Sequence, residues 1–90
     1  MITWDEAKRR SNLAKHGVDL ADCAVVFDNP LLTQEDTRMA YGEQRLQSLG
    51  LFYGVAVYLV WVDRPAAPHL ISCRKATKHE ERHYWKTLGH

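Results

Sequence analysis

The spacing of apolar positions changes twice along this chain. Residues 2–4 form a short apolar stretch and predict an edge strand leading into a helix. Thr3 and Glu6 stand at capping-box spacing, with Asp5 as an alternative cap, and the helix should run to about His16, where Gly17 ends it. Lys8, Asn12 and Lys15 then fall on one polar stripe. A second, shorter helix is predicted from Asp19, with Leu20, Cys23, Ala24 and Phe27 on its buried face and Asp28-Asn29-Pro30 at its end.

Beyond Pro30 helical spacing gives way to extended runs at residues 31–35, 44–52, 55–62 and 69–75. The loop 36–42, the Tyr53-Gly54 turn and the segment 64–68 join them, and such short connections favour an antiparallel meander. The run 55–62 is apolar on both sides, as a central strand would be. Helical spacing returns at Thr77, where Glu80 completes another capping box and Tyr84, Trp85 and Leu88 point toward the core. Two N-terminal helices, about four antiparallel strands and a C-terminal helix make an α+β fold of one sheet with packed helices.

Strand alternation sorts the polar residues of the sheet. Arg45 and Gln47 share a face of the second run; Leu70, Ser72 and Arg74 share a face of the last, and Ile71, Cys73 and Lys75 the other. Arg45 and Arg74 can therefore sit side by side if the register permits.

Ninety residues, 46% of them hydrophobic, fit a single domain spanning 1–90. The eight-residue run 55–62 is far short of the roughly 20 residues that cross a bilayer. The N-terminal residues lack a basic start followed by an apolar core, so a cytoplasmic location is expected. In that compartment Cys23 and Cys73 read as small core hydrophobes.

The net charge of +1 hides a division along the chain. Residues 1–16 hold four bases and two acids, and residues 74–90 hold five bases and two acids. The middle holds three bases and seven acids. Two basic ends on one domain can form a positive face that meets a polyanion.

Few catalytic motifs fit this chain. His79 and His83 have helical ligand spacing, but no zinc signature surrounds them, and no metal site or cofactor is expected. Gly-x-Ser-x-Gly and phosphate-cradling glycine loops are absent. The remaining basic and aromatic set suits metal-free RNA cleavage, in which a 2′-OH attacks the adjacent phosphate and guanidinium groups hold the added charge.

Trp4-Asp5-Glu6-x-Lys8, Asn12-Leu13-x-Lys15-His16-Gly17-Val18, Gly42-Glu43-x-Arg45 and Ser72-x-Arg74-Lys75-Ala76-Thr77 with Glu80-x-x-x-Tyr84 resemble BrnT-type toxins. The likeness runs in order through nearly the whole chain. It implies a RelE-like fold, an endoribonuclease that arrests translation, and a BrnA-type ribbon-helix-helix antitoxin that neutralises it. It also implies that promoter DNA is bound only through the antitoxin, with no membrane role. By position, the implied catalytic set is Arg45, Arg74, Glu80, Tyr84 and His16, with Lys8, Lys15, Lys75 and Arg82 meeting RNA. In that set the arginines stabilise phosphate, Glu80 or His16 removes a proton, and Tyr84 or a lysine donates one. The alternative is a non-catalytic nucleic-acid-binding or protein-interaction domain of the same fold.

Overall fold

A computed structural model of the chain describes residues 1–88. Asp5 caps helix α1, Glu6–His16, by accepting from the Lys8 backbone N–H at 3.1 Å, as an N-cap carboxylate does. Thr3 is not the cap. It sits in strand β1, Thr3–Trp4, and its hydroxyl bonds His69 Nδ1 at 2.8 Å.

The second helical segment, Leu20–Asp28, is a 3₁₀ helix and not the α-helix expected. Three residues per turn put Leu20, Cys23 and Val26 in one eclipsed row, and these are its buried residues. Ala24, expected in that row, faces solvent instead.

Strands β2 (Leu32–Asp36), β3 (Arg45–Phe52), β4 (Val55–Asp63) and β5 (Pro68–Lys75) form the expected antiparallel meander. At the turn between β3 and β4, Tyr53 and Gly54 both take positive φ, 48° and 82°, which matches the twist of a two-residue hairpin. The expected edge strand is β1, but it joins β5 in parallel, so the sheet is mixed and five-stranded, in the order β1-β5-β4-β3-β2 with β4 central, and not an antiparallel sheet of about four strands.

The β4–β5 register corrects the strand alternation. Val60 pairs with Ser72 but Trp61 pairs with Leu70, so Ile71 is an extra residue in a bulge. Leu70 therefore shares the core with Cys73, while Ser72 and Arg74 face the other side.

Val57, Leu59, Trp61, Leu70 and Cys73 pack beneath the 3₁₀ helix as the main core, with Ile2, Trp4 and Phe27 around them. Both cysteines are free and buried there. Gly50 lets the 3₁₀ helix approach: a Cβ at that position would lie 2.8 Å from Leu31 Cδ2 and from Val26 Cγ1.

Asn12 lies on α1 but not on a solvated stripe. It is buried and meets the unpaired edge of β5, donating to the Cys73 carbonyl at 2.8 Å and accepting from the Cys73 N–H at 3.0 Å. Its amide supplies both hydrogen bonds that a neighbouring strand would have made.

Helix α2, Lys78–Thr87, opens with the predicted capping box between Thr77 and Glu80. It crosses the opposite face of the sheet.

Candidate active site

Arg74 lies near the end of β5, opposite Tyr58 of β4, which in turn lies opposite Leu49 of β3. Its guanidinium rests 4.2 Å above the Tyr58 ring. Nη1 and Nη2 donate to the two Glu80 carboxylate oxygens at 2.8 and 3.0 Å, and Nη1 also donates to the Lys75 carbonyl at 3.2 Å. This two-pronged pairing fixes the plane of the guanidinium. Glu80 has a second duty, because its Oε1 also accepts the Thr77 N–H at 2.8 Å. The bonds from Arg74, reinforced by those from Thr77, hold the Glu80 carboxyl down at about 2, and the same pair raises Arg74.

A second guanidinium reaches the same cleft from the loop after β2. Arg38 donates to both oxygens of Asp36 at 2.8 and 2.7 Å. The Asp36 side chain is fully buried, and the Arg38 bonds hold its carboxyl far below the usual carboxylate range.

The cleft between these arginines has a volume of about 420 Å³. Leu32, Leu49 and Tyr58 give it an apolar floor, while Gln34, Gln47 and His83 complete its polar rim. Burial raises the Tyr58 hydroxyl above its ordinary value. His83 stands one turn beyond Glu80 on α2, with Nδ1 3.5 Å from the Thr87 hydroxyl.

The other expected site residues are dispersed. Arg45 faces the same side of the sheet as Arg74 but is not beside it; its guanidinium lies over Tyr41 at 4.0 Å. Tyr84 is buried, and its hydroxyl donates to the Pro30 carbonyl at 2.7 Å. His16, Lys8 and Lys15 line a separate depression of about 180 Å³ beside the β5 edge. Lys75 pairs opposite Val57, on the side of the 3₁₀ helix, and Arg82 is exposed on α2. Among the described residues no three His, Cys, Asp or Glu side chains gather as metal ligands would.

Arg38 and Tyr58 carry no role in the sequence reading, and His83 enters it only as a possible metal ligand beside His79. His83 was findable as the i+3 neighbour of Glu80, and Tyr58 as the outward residue of an alternating strand. Arg38 sits in an aperiodic loop and carried no signal.

Comparison with known proteins gives a consistent result. Residues 4–80 match the family profile described as the ribonuclease toxin, BrnT, of type II toxin–antitoxin systems. The chain is also similar to the crystal structure of the Brucella abortus ribonuclease toxin BrnT, with 30% identity and a TM-score of 0.64. That match covers 86% of this chain and 96% of the other. No curated protein matches. The profile and the solved structure agree across most of the chain, which therefore belongs to the BrnT family of ribonuclease toxins of type II toxin–antitoxin systems.

Proposed function

We propose that this toxin is a metal-independent endoribonuclease whose reacting phosphate sits between Arg74 and Arg38. The observation that carries the reading is the pair of guanidiniums, each held at both prongs by a carboxylate, flanking one cleft with a histidine on its rim. A guanidinium has five N–H groups. Among the described residues Arg74 directs only its Nη atoms at protein acceptors, so donors remain for the charge that builds on the phosphoryl oxygens in the transition state.

His83, on the rim of the cleft, takes the proton of the attacking 2′-OH, the general-base role that histidine fills most often. The oxygen attacks the adjacent phosphorus and the bond to the 5′-oxygen breaks. That oxygen takes a proton from solvent at the open cleft mouth, leaving a 2′,3′-cyclic phosphate and a 5′-hydroxyl. Glu80 holds Arg74; a carboxyl held so low is a weak base, which supports giving it a positioning role. The buried Tyr84 hydroxyl is likewise left as a structural donor.

The same reading includes a RelE-like relationship of the fold, arrest of translation in the cytoplasm, and neutralisation by a BrnA-type ribbon-helix-helix antitoxin that alone contacts promoter DNA. Family membership supports an RNA target and an antitoxin partner. No helix among the described residues is long and apolar enough to cross a membrane.

Incubation of the purified protein with RNA, with and without EDTA, tests the mechanism. Cleavage that persists in EDTA and leaves cyclic phosphate ends is expected. Loss of cleavage in EDTA, restored by magnesium or zinc, would overturn the metal-free mechanism, and RNA binding without cleavage would favour the non-catalytic alternative.

A further inference from the structure

We propose that Arg45, whose guanidinium lies over Tyr41, is a second phosphate-binding subsite, so that the protein engages several nucleotides of single-stranded RNA along the sheet face that bears the cleft. The inference rests on the RNA-cleaving reading above and says where the strand goes beyond the cleft.

Arg45 lies directly across the β2–β3 pair from Asp36, the arrangement in which opposite charges usually pair. Here they do not. Both Asp36 oxygens are bonded to Arg38, and Tyr41 donates its hydroxyl to one of them at 3.3 Å. Arg45 instead places its guanidinium carbon over the Tyr41 ring, 4.0 Å from the centroid. None of its guanidinium nitrogens donates to an acceptor among the described residues, and its buried Nε has no partner. By contrast Arg9, Arg38, Arg64 and Arg74 each meet a carboxylate. A guanidinium oriented by an aromatic ring, with its donors unfilled, is suited to the paired oxygens of a phosphate.

The register sets the distance. Arg45 precedes Leu46, which pairs with Trp61, whereas Arg74 is level with Tyr58 and Leu49. The two arginines are thus four residues apart along the strands and two strands apart across them, on the order of 15 Å at ~3.3 Å per residue and ~4.8 Å per strand. A stacked strand advances about 3.4 Å per nucleotide, so this backbone separation matches a strand of several nucleotides. Between them the same face carries Gln34 and Gln47, joined amide to amide at 3.0 Å, which gives the strand a polar path.

The test uses 2′-O-methyl RNA, which lacks the attacking hydroxyl and so reports binding alone. Dinucleotides and ten-nucleotide strands are titrated against wild type, Arg45→Gln, and Arg10→Gln as a control for net charge, after melting shows that each variant is folded. Arg45→Gln should weaken the ten-nucleotide complex roughly 10- to 100-fold, with a far smaller effect on the dinucleotide. The slope of its log affinity against log salt should fall by about 0.7, the loss of one phosphate contact. Arg45→Lys should restore the salt slope but not the full affinity, which separates charge from the two-pronged contact. Equal effects on both lengths, no effect on either, or the same loss in Arg10→Gln would overturn the subsite while leaving the RNA-cleaving reading intact. Failure of the wild type to bind or cleave any RNA would remove that reading itself.

Discussion

The two faces of the sheet are built from alternate residues of the same strands, yet they do different work. In β4, Val57, Leu59 and Trp61 lie under the 3₁₀ helix in the apolar core. Tyr58, between two of them, floors the cleft beneath Arg74. On the core face Trp61 Nε1 donates to the buried Ser48 hydroxyl at 2.9 Å and Ser48 meets Thr33 at 2.7 Å, so these polar groups are filled from within. On the face crossed by α2 the charged groups are oriented but only partly filled. The main apolar cluster therefore lies on one face and the cleft on the other, and a substitution should show which of the two it belongs to by what it changes.

The sharpest way to break this contrast is to truncate the core. Leu59→Ala removes a fully buried side chain and should lower stability by about 2–5 kcal/mol, a large part of the ~5–15 kcal/mol typical of a domain. Gln47→Ala, on the opposite face of β3, should barely move the melting temperature. Equal losses in thermal melts of the two variants would mean that the faces do not divide the work.

Arg74→Lys makes the complementary change. It keeps the charge but loses the two-pronged geometry, so the cleavage rate should fall roughly 10- to 1,000-fold with little change in melting temperature. Arg74→Ala should also relieve growth arrest in cells while still binding antitoxin, provided that inhibition covers the site through a wide interface. A fully toxic Arg74→Ala would place the active site elsewhere.

Much of this division was legible in the sequence, and the failures have local causes. The four main strands, the central place of β4 and the capping box at Thr77 followed from alternation, apolar run length and spacing. Alternation failed in β5 because the bulge at Ile71 shifts the pattern by one residue and moves Leu70 into the core. A helix-like apolar stretch could not reveal three residues per turn, so Ala24 was placed inside and Val26 was overlooked. Asn12 looked solvated because its partner, the Cys73 backbone, lies 61 residues away. The candidate set held Arg74 and Glu80, but their direct pairing across six residues and the arrival of Arg38 depend on register and on a loop, neither of which periodicity describes.

Glu80 joins the cap of α2 to the orientation of Arg74, so Glu80→Gln acts where fold and chemistry meet. The amide still accepts from Thr77 but no longer matches both prongs of the guanidinium, and the rate should fall roughly 10- to 100-fold from misplacement of Arg74. The pH dependence has a definite sign. The Glu80 carboxyl is lowered from 4.5 to about 2 on folding, so its stabilising contribution is complete above 4.5 and is lost as pH falls toward 2. In acid melts across that window wild type should lose its stability advantage over Glu80→Gln. Parallel curves would show that the pair contributes no pH-dependent stability.

Tyr84→Phe should have the smallest effect, and it separates position in the helix from participation in the reaction. Tyr84 follows Glu80 by one helical turn and was a candidate proton donor, yet its hydroxyl points to the Pro30 carbonyl at the start of the segment leading into β2. Loss of a single neutral hydrogen bond costs about 0.5–1.5 kcal/mol, and the exposed setting of Pro30 lets water take up the freed carbonyl, which favours the lower end. The ring remains to fill its buried place against Trp85, with ring centres 5.1 Å apart. A general acid or base in the reaction typically contributes 10²- to 10⁴-fold, so the two roles predict different kinetics. Cleavage by Tyr84→Phe within about twofold of wild type, with a slightly lower melting temperature, is the outcome the geometry requires; a hundredfold loss in a variant that melts normally would return Tyr84 to the reaction.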